Sequence, residues 1–249
     1  MTVHVRTGGT DGPALVLLHG LGATGDVWRG TAALWPGTWL APDLPGHGRS
    51  DPLPAYTFDA LADAVAPVVP TDRPVAVLGH SFGGVVALAL GSEEHGPPVG
   101  VVCGLGVKVR WTDQELAKAA ELAARPSKVF ETRDEAAERA LKVAGLWQLV
   151  PADSPLVDDA LVESADGWRL ALDPAAYGVG APDMPALLAA SRARVVLAAG
   201  EHDPMCPPEH LAAVGAEAVV LPGLGHNAHV EKPEALGPLL ARLHAALVG

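Results

Sequence analysis

The chain has 249 residues, 49% of them hydrophobic, which is enough apolar material for one large domain with a sizeable core. Its formal net charge of −12 argues against nucleic-acid binding, because a phosphate backbone would be repelled. No apolar stretch approaches the roughly 20 residues that span a bilayer, and no secretory signal is visible at the start. We therefore expect a cytoplasmic protein that binds neither nucleic acid nor membrane.

Short apolar runs bounded by turn residues predict strands that are buried on both faces, as in a parallel sheet. In chain order these strands lie at 14–18, 38–41, 75–78, 99–103, 195–199 and 218–221. Segments of helical composition alternate with them at 58–69, 85–94, 208–214 and 233–248. This alternation predicts an α/β layered fold.

Residues 108–190 interrupt the alternation. They contain no convincing buried strand, but two stretches rich in helix-forming residues, 112–124 and 134–150, followed by several prolines. Thr112 and Asp113 are suited to cap the first of these helices. We predict a core domain formed by 1–107 and 191–249, with 108–190 as a mostly helical cap inserted between two strands.

The most informative motif is Gly-His-Ser-Phe-Gly at 79–83, between an apolar strand and a helix-forming run. In this context G-x-S-x-G predicts a sharp turn that exposes the Ser81 hydroxyl at the start of a helix. The flanking glycines give the backbone room for the turn, and the helix N-terminus favours developing negative charge. Ser81 is therefore the candidate nucleophile.

A serine nucleophile needs a base, and the base needs a carboxylate to orient it. His226 lies in a glycine-rich loop after the last predicted strand, with His229 as the alternative base. Asp203 lies in the loop after the preceding strand, with Glu201 as the alternative acid. The chain order Ser81, Asp203, His226 is the one described for α/β-hydrolases.

A tetrahedral intermediate also needs donors for its oxyanion. The backbone N–H groups of Leu21, in the loop after the strand at 14–18, and of Phe82 are the candidate pair. We expect His19 to stabilise that loop by hydrogen bonding. The segment 43–50, with Asp43, His47 and Arg49, is interpreted as a hydrogen-bonded structural loop.

Five segments together resemble the α/β-hydrolase superfamily, in its small, cap-bearing, esterase-like branch. They are LVLLHGLGATGDVW, APDLPGHGRS, VLGHSFGG, GEHDP and GLGHNAHVEKPE, in this order along the chain. The resemblance implies an eight-stranded, mostly parallel sheet with a helical cap. It extends to esterases, enol-lactonases, C–C bond hydrolases and cofactor-free haloperoxidase-like enzymes. Epoxide hydrolases and haloalkane dehalogenases carry aspartate where this chain has Ser81.

These features predict a serine hydrolase that cleaves a carboxylic ester or related acyl bond of a small molecule, without a metal or other cofactor. The alternatives are a C–C bond hydrolase or enol-lactonase with the same triad, and a receptor-like binding protein of the same fold. The protein partner, if any, is left open. Arg110 or Arg125 is available for an acidic substrate. Apolar side chains of the cap, together with Trp28 close after the loop of Leu21, predict the substrate pocket: Trp28, Trp111, Leu146, Trp147 and Trp168.

Overall fold

The computed structural model describes residues 1–95, 98–214 and 217–248. Residues 96, 97, 215, 216 and 249 belong to the predicted core and lie outside this description. The strands are β1 (Val5–Gly9), β2 (Ala14–Leu18), β3 (Thr38–Pro42), β4 (Val75–His80), β5 (Val101–Leu105), β6 (Leu161–Ser164), β7 (Gly167–Leu170), β8 (Arg194–Gly200) and β9 (Glu217–Leu221). The α-helices are α1 (Arg29–Ala32), α2 (Phe58–Val65), α3 (Phe82–Leu90), α4 (Asp113–Ala123), α5 (Arg133–Val143), α6 (Met184–Ala190), α7 (Pro208–Ala212), α8 (Ala228–Glu231) and α9 (Gly237–Val248).

The main sheet has the strand order β1-β3-β2-β4-β5-β8-β9, and β1 alone runs antiparallel to its neighbour among the described strands. Every residue of β2 is buried, because alternate side chains enter two apolar layers. Leu15 and Leu17 pack in the layer that contains α9, and Val16 and Leu18 pack in the layer that contains α2 and α3. The predicted α/β layered fold is confirmed.

The described part of the sheet has seven strands, one fewer than the eight that the resemblance implies. Residues 1–4 do not add a strand before β1. Instead, the carbonyl oxygen of His4 accepts from the N–H of Asp43, and the N–H of Thr2 donates to the carboxylate of Asp51. Their backbone groups are therefore used by the 43–51 loop.

The chain between β5 and β8 contains α4, α5, the β6–β7 hairpin and α6. A capping box of Thr112 and Glu115 begins α4, so the predicted cap of this helix is confirmed. The segment has no buried strand, as expected, but it contains a hairpin that the sequence did not predict: β6 and β7 pair antiparallel and lie mostly half-exposed. Such short, partly polar strands lack the continuous apolar run of a buried strand. We keep 108–190 as the proposed cap, and note that α6 at its end packs against α3.

The parallel register aligns the carboxyl ends of the central strands at one edge of the sheet. His80 at the end of β4 is level with Leu105 on β5, and Gly200 at the end of β8 is level with Leu221 on β9. Ligands of open α/β sheets bind at this edge. The loops that carry Ser81, Asp203 and His226 all leave the sheet here.

Candidate active site

Ser81 forms the sharp turn between β4 and α3. Its backbone has φ 50° and ψ −112°, a region that residues with a side chain rarely adopt. The turn closes tightly on itself, because a Cβ added at Gly79 would lie 2.0 Å from the carbonyl oxygen of Gly83. A Cβ added at Gly83 would lie 2.4 Å from the carbonyl oxygen of His19. Both positions therefore require glycine, and the strain is held at the one residue whose hydroxyl is presented to the site.

Asp203 and His226 are paired. The Nδ1 atom of His226 lies 2.8 Å from Oδ2 of Asp203, whose side chain is completely buried. The other carboxylate oxygen, Oδ1, accepts from the N–H groups of Met205 at 2.8 Å and Cys206 at 3.0 Å. Because a carboxylate only accepts, the contact places a proton on Nδ1 and leaves the Nε2 lone pair of His226 available.

Two backbone turns bring this pair next to Ser81. The N–H of Ser81 donates to the carbonyl oxygen of Leu105 at 2.8 Å, and a Cβ on the following Gly106 would lie 3.2 Å from both Asp203 Oδ2 and His226 Cε1. No hydrogen bond joins the Ser81 hydroxyl to the His226 ring among the contacts of the described residues. Such bonds are often long in unliganded serine hydrolases and tighten when substrate binds.

The predicted oxyanion donors are unused. Among the hydrogen bonds of the described residues, none has the N–H of Leu21 or of Phe82 as donor. Phe82 is the first residue of α3, so its N–H is one of the helix N-terminal groups that have no intrahelical acceptor. Two free N–H groups next to a serine are what an oxyanion requires.

His80 supports His226 in a way that the sequence did not predict. Its Nε2 atom donates to the backbone carbonyl oxygen of His226 at 2.9 Å, and the two rings are 4.7 Å apart. Burial lowers the pKa of His80 well below its ordinary value, so the ring stays neutral. His80 thereby fastens the loop of residue 226 to the end of β4.

The alternative base and the alternative acid lie elsewhere. His229 is buried between the rings of Trp28 and His80, each 4.4 Å away, and its pKa is lowered to about 3 by burial. Glu201 accepts from the N–H of Gly223 at 2.8 Å and is exposed. Among the hydrogen bonds of the described residues, His226 pairs with Asp203, and neither His229 nor Glu201 takes part in this pair.

The two structural interpretations of the N-terminal loops are confirmed. His19 is completely buried, accepts the N–H of Leu44 at Nε2 and donates from Nδ1 to the carbonyl oxygen of Gly20, both at 2.8 Å. Asp43 is buried and accepts from Arg6, from the N–H of Gly25 and from the N–H of Arg49. These contacts hold the loop of Leu21 against the 43–50 segment.

A cavity of about 350 Å³ lies within the proposed cap, between α4, α5 and the segment after β7. Its wall reaches the loop of the predicted oxyanion donor Leu21, because Val143 of the wall packs against the neighbouring Gly22. Its size falls within the usual range for small-molecule sites, about 300–1,000 Å³. Six of the residues that line it are Phe130, Arg139, Val143, Leu170, Leu172 and Tyr177.

The five predicted pocket residues do not line this cavity. Trp111 and Trp147 are 37% and 42% exposed, with the ammonium groups of Lys108 and Lys142 over their rings. Trp28 and Leu146 are buried in the core layer opposite the cavity, and Trp168 packs against the same layer. The apolar character of these side chains was read correctly, but the direction in which they point depends on the cap's tertiary packing.

Two further searches covered only the described residues. No group of three or more His, Cys, Asp and Glu side chains there is arranged to hold a metal ion. None of the described helices combines the length and the apolar composition needed to cross a membrane.

Comparison with known proteins decides the family. Residues 15–237 match the Alpha/beta hydrolase family. The chain belongs to this family. Membership in the alpha/beta hydrolase family confirms the predicted fold class and makes the chain a hydrolase.

This alpha/beta hydrolase has curated relatives named for ester cleavage. It is 35% identical over 182 residues to Lipase LipV of Mycobacterium tuberculosis, covering 68% of this chain and 67% of the lipase. It is 30% identical over 233 residues to the pimeloyl-(acyl-carrier protein) methyl ester esterase of Neisseria meningitidis, covering 90% and 74% of the two chains. A match to the magnesium-chelatase 30 kDa subunit of Rhodobacter capsulatus, 39% identical, spans only 38% of this chain and 36% of that protein.

Solved structures share the fold. E-2-(acetamidomethylene)succinate hydrolase superimposes with a TM-score of 0.79 at 22% identity, over 97% of this chain and 94% of its own. The thioesterase domain from the curacin biosynthetic pathway gives a TM-score of 0.76 at 21% identity, over 96% and 95%. At these identities the likeness is one of fold.

Proposed function

We propose that this hydrolase cleaves carboxylic esters of small molecules through a covalent acyl-enzyme on Ser81. The observation that carries the proposal is the 2.8 Å contact between Asp203 and His226, which lies beside a serine held at positive φ. A helix-capping serine needs neither a strained backbone nor a histidine–carboxylate pair. A nucleophilic serine of the α/β-hydrolase fold has both.

In the first half of the reaction, Nε2 of His226 takes the proton of the Ser81 hydroxyl as the oxygen attacks the ester carbonyl. Asp203 holds the ring with its proton on Nδ1 and stabilises the imidazolium that forms. The N–H groups of Leu21 and Phe82 donate to the oxyanion of the tetrahedral intermediate. His226 then returns the proton to the leaving alcohol, and the acyl group remains on Ser81.

In the second half, His226 removes a proton from water, which attacks the acyl-enzyme through the same oxyanion site. Collapse of this intermediate releases the carboxylic acid and restores the Ser81 hydroxyl. No step requires a redox change, and every proton is carried by one imidazole. The strain at Ser81 and the fixed N–H donors are in place before substrate arrives, so little reorganisation accompanies the chemistry.

The names of the relatives favour an ester over a carbon–carbon bond as the substrate. Lipase LipV and the Neisseria meningitidis methyl ester esterase are both named for ester cleavage, and they are the two longer matches described above. The proposed cavity wall of Phe130, Val143 and Leu172 suits an apolar acyl chain.

The test is hydrolysis of a short p-nitrophenyl ester by the wild-type protein, Ser81→Ala and Ser92→Ala. Ser92 is a matched control, because its hydroxyl is buried beyond the far end of α3 and has no hydrogen-bond partner among the described residues. We expect turnover by the wild type and Ser92→Ala, and loss of at least about 10³-fold in Ser81→Ala with the fold intact. Turnover by Ser81→Ala at the wild-type rate would contradict the proposal.

A further inference from the structure

The cavity within the proposed cap carries positive charge in a strongly acidic protein. The chain has a formal net charge of −12, yet the charged groups that line this cavity are Arg125, Lys128 and Arg139, all of them basic. The rest of its wall is apolar or neutral. A purely aliphatic acyl chain would gain nothing from three cations, so their placement calls for a ligand with negative charge.

Of the three cations, Arg139 is the one available to a ligand. Arg125 is already paired with Glu121, and the ammonium group of Lys128 lies 4.7 Å from the centre of the Phe130 ring. Arg139 makes no ion pair with any described residue. Its guanidinium can therefore offer a bidentate contact to a carboxylate.

Tyr177 supplies a neutral donor beside Arg139. Tyr177 and Arg139 line the same cavity, and burial raises the pKa of the Tyr177 hydroxyl. The hydroxyl therefore keeps its proton at neutral pH and has no hydrogen-bond partner among the described residues. A phenol and a guanidinium together form a recognition site for an anionic oxygen.

This charged end connects with the proposed reaction centre through apolar wall. Val143 packs against Gly22 on the loop of Leu21. Leu172 bridges by backbone pairing to His47, whose ring is 5.7 Å from that of Phe82. Two residues of the cavity wall thus contact the loop of Leu21 and the segment that packs against Phe82, and the wall extends from them past apolar side chains to the basic groups.

We propose that the substrate is an ester whose acyl chain carries a carboxylate at its far end, such as the monoester of a medium-length dicarboxylic acid. Arg139 and Tyr177 bind the carboxylate, and the apolar wall binds the methylene chain between it and the scissile ester. This inference rests on the proposed ester hydrolysis at Ser81, and it assigns the substrate class of that site.

The experiment compares mono-p-nitrophenyl adipate with p-nitrophenyl hexanoate, two esters of equal acyl length that differ by the terminal carboxylate. The measured quantity is the ratio of kcat/KM for the anionic ester to that for the neutral ester. We expect this ratio to fall by roughly three- to tenfold in Arg139→Gln and further in Arg139→Glu, as for a contact that remains partly solvated. Raising the salt concentration should lower the wild-type ratio as well.

Arg110→Gln is the matched control. The sequence left Arg110 open as a partner for an acidic substrate, but Arg110 is an exposed arginine before α4 and does not line the cavity. Its ratio should equal that of the wild type. A wild-type ratio that Arg139→Gln and Arg139→Glu leave unchanged would overturn the assignment of the anionic site, while hydrolysis of both esters would leave the proposed function standing. Failure of the wild type to hydrolyse either ester would overturn the proposed function and this inference with it.

Discussion

Asp203→Asn is the perturbation whose outcome follows most fully from the geometry. The replaced carboxylate has two different neighbours: Oδ1 accepts two backbone N–H groups, from Met205 and Cys206, and Oδ2 faces Nδ1 of His226. An asparagine keeps its carbonyl oxygen at the Oδ1 position. The reverse orientation would leave two buried N–H groups facing an amide NH₂, at a cost of about 1–3 kcal/mol each.

With its carbonyl oxygen at the Oδ1 position, the asparagine turns its amide NH₂ toward His226 and donates to Nδ1. The ring must then carry its proton on Nε2, which removes the lone pair that accepts the proton of Ser81. The same exchange of tautomer in a serine protease costs about 10⁴ in kcat, equivalent to about 5 kcal/mol of barrier. We expect a loss of this order in Asp203→Asn for a p-nitrophenyl ester, with KM little changed.

The assay is steady-state hydrolysis over a range of substrate concentrations, combined with urea unfolding to show that the variant is folded. Asparagine has nearly the same shape as aspartate, so the free energy of unfolding should change much less than the activation barrier. A kcat within tenfold of the wild type would refute the reasoning, because it would show that His226 works as a base without Asp203.

Three further changes test the surrounding structure. Burial lowers the pKa of His47 and of His229 from 6.5 to about 3, so the folded state resists a proton that the unfolded state binds. The contribution of these rings to the free energy of unfolding is fully present above about pH 6.5. Urea titrations should show the free energy of unfolding falling by about 2 kcal/mol for each ring between pH 7.5 and pH 5. Gly83→Ala forces a Cβ to within 2.4 Å of backbone oxygen and should cost about 1–3 kcal/mol of stability, whereas Gly237→Ala, with nothing within 4 Å, should be neutral or stabilising by about 0.5 kcal/mol. Asp159→Asn removes the negative charge that pairs the cap segment with Arg6 and Arg49 of the core, and should lower Tm by about 2–4 °C, as expected for a loss near 1 kcal/mol.

Each of these three predictions would be contradicted by a specific result. Equal stability of the wild type at pH 5 and pH 7.5 would show that the histidine rings are protonated in the folded state. A Gly83→Ala protein as stable and active as Gly237→Ala would mean that the turn at Ser81 can relax. An Asp159→Asn protein with an unchanged Tm would show that the ion pairs of Arg6 and Arg49 are fully offset by desolvation.

The buried strands were predictable because their apolar runs reflect burial on both faces. The run at 14–18 coincides with β2, and the run at 75–78 lies within β4. β1 was missed because its sequence, VRTGG, has neither an apolar run nor alternation. It forms by antiparallel pairing with β3 at the edge of the sheet, a tertiary contact that local sequence does not encode.

In the candidate site, too, local sequence predicts some features and tertiary contacts determine the others. Ser81, Asp203 and His226 are marked by glycine and proline turns at the ends of strands, so their sequence context locates them at one sheet edge. The contact of His80 with the carbonyl oxygen of His226 joins residues 146 positions apart, so no local sequence pattern predicts it. The five predicted pocket residues do not line the cavity of the proposed cap, because apolar composition does not determine whether a tryptophan points inward or lies beneath a lysine.

The central claim is that Ser81 is a nucleophile activated by His226. The most direct measurement is the rate at which a fluorophosphonate modifies Ser81, followed by mass spectrometry of the peptide that contains it, in the wild type and in His226→Ala. The account predicts a single covalent adduct on Ser81 in the wild type and a rate at least about 10²-fold lower in the variant. Modification of Ser81 at equal rates in both proteins, or an adduct at another residue, would contradict it.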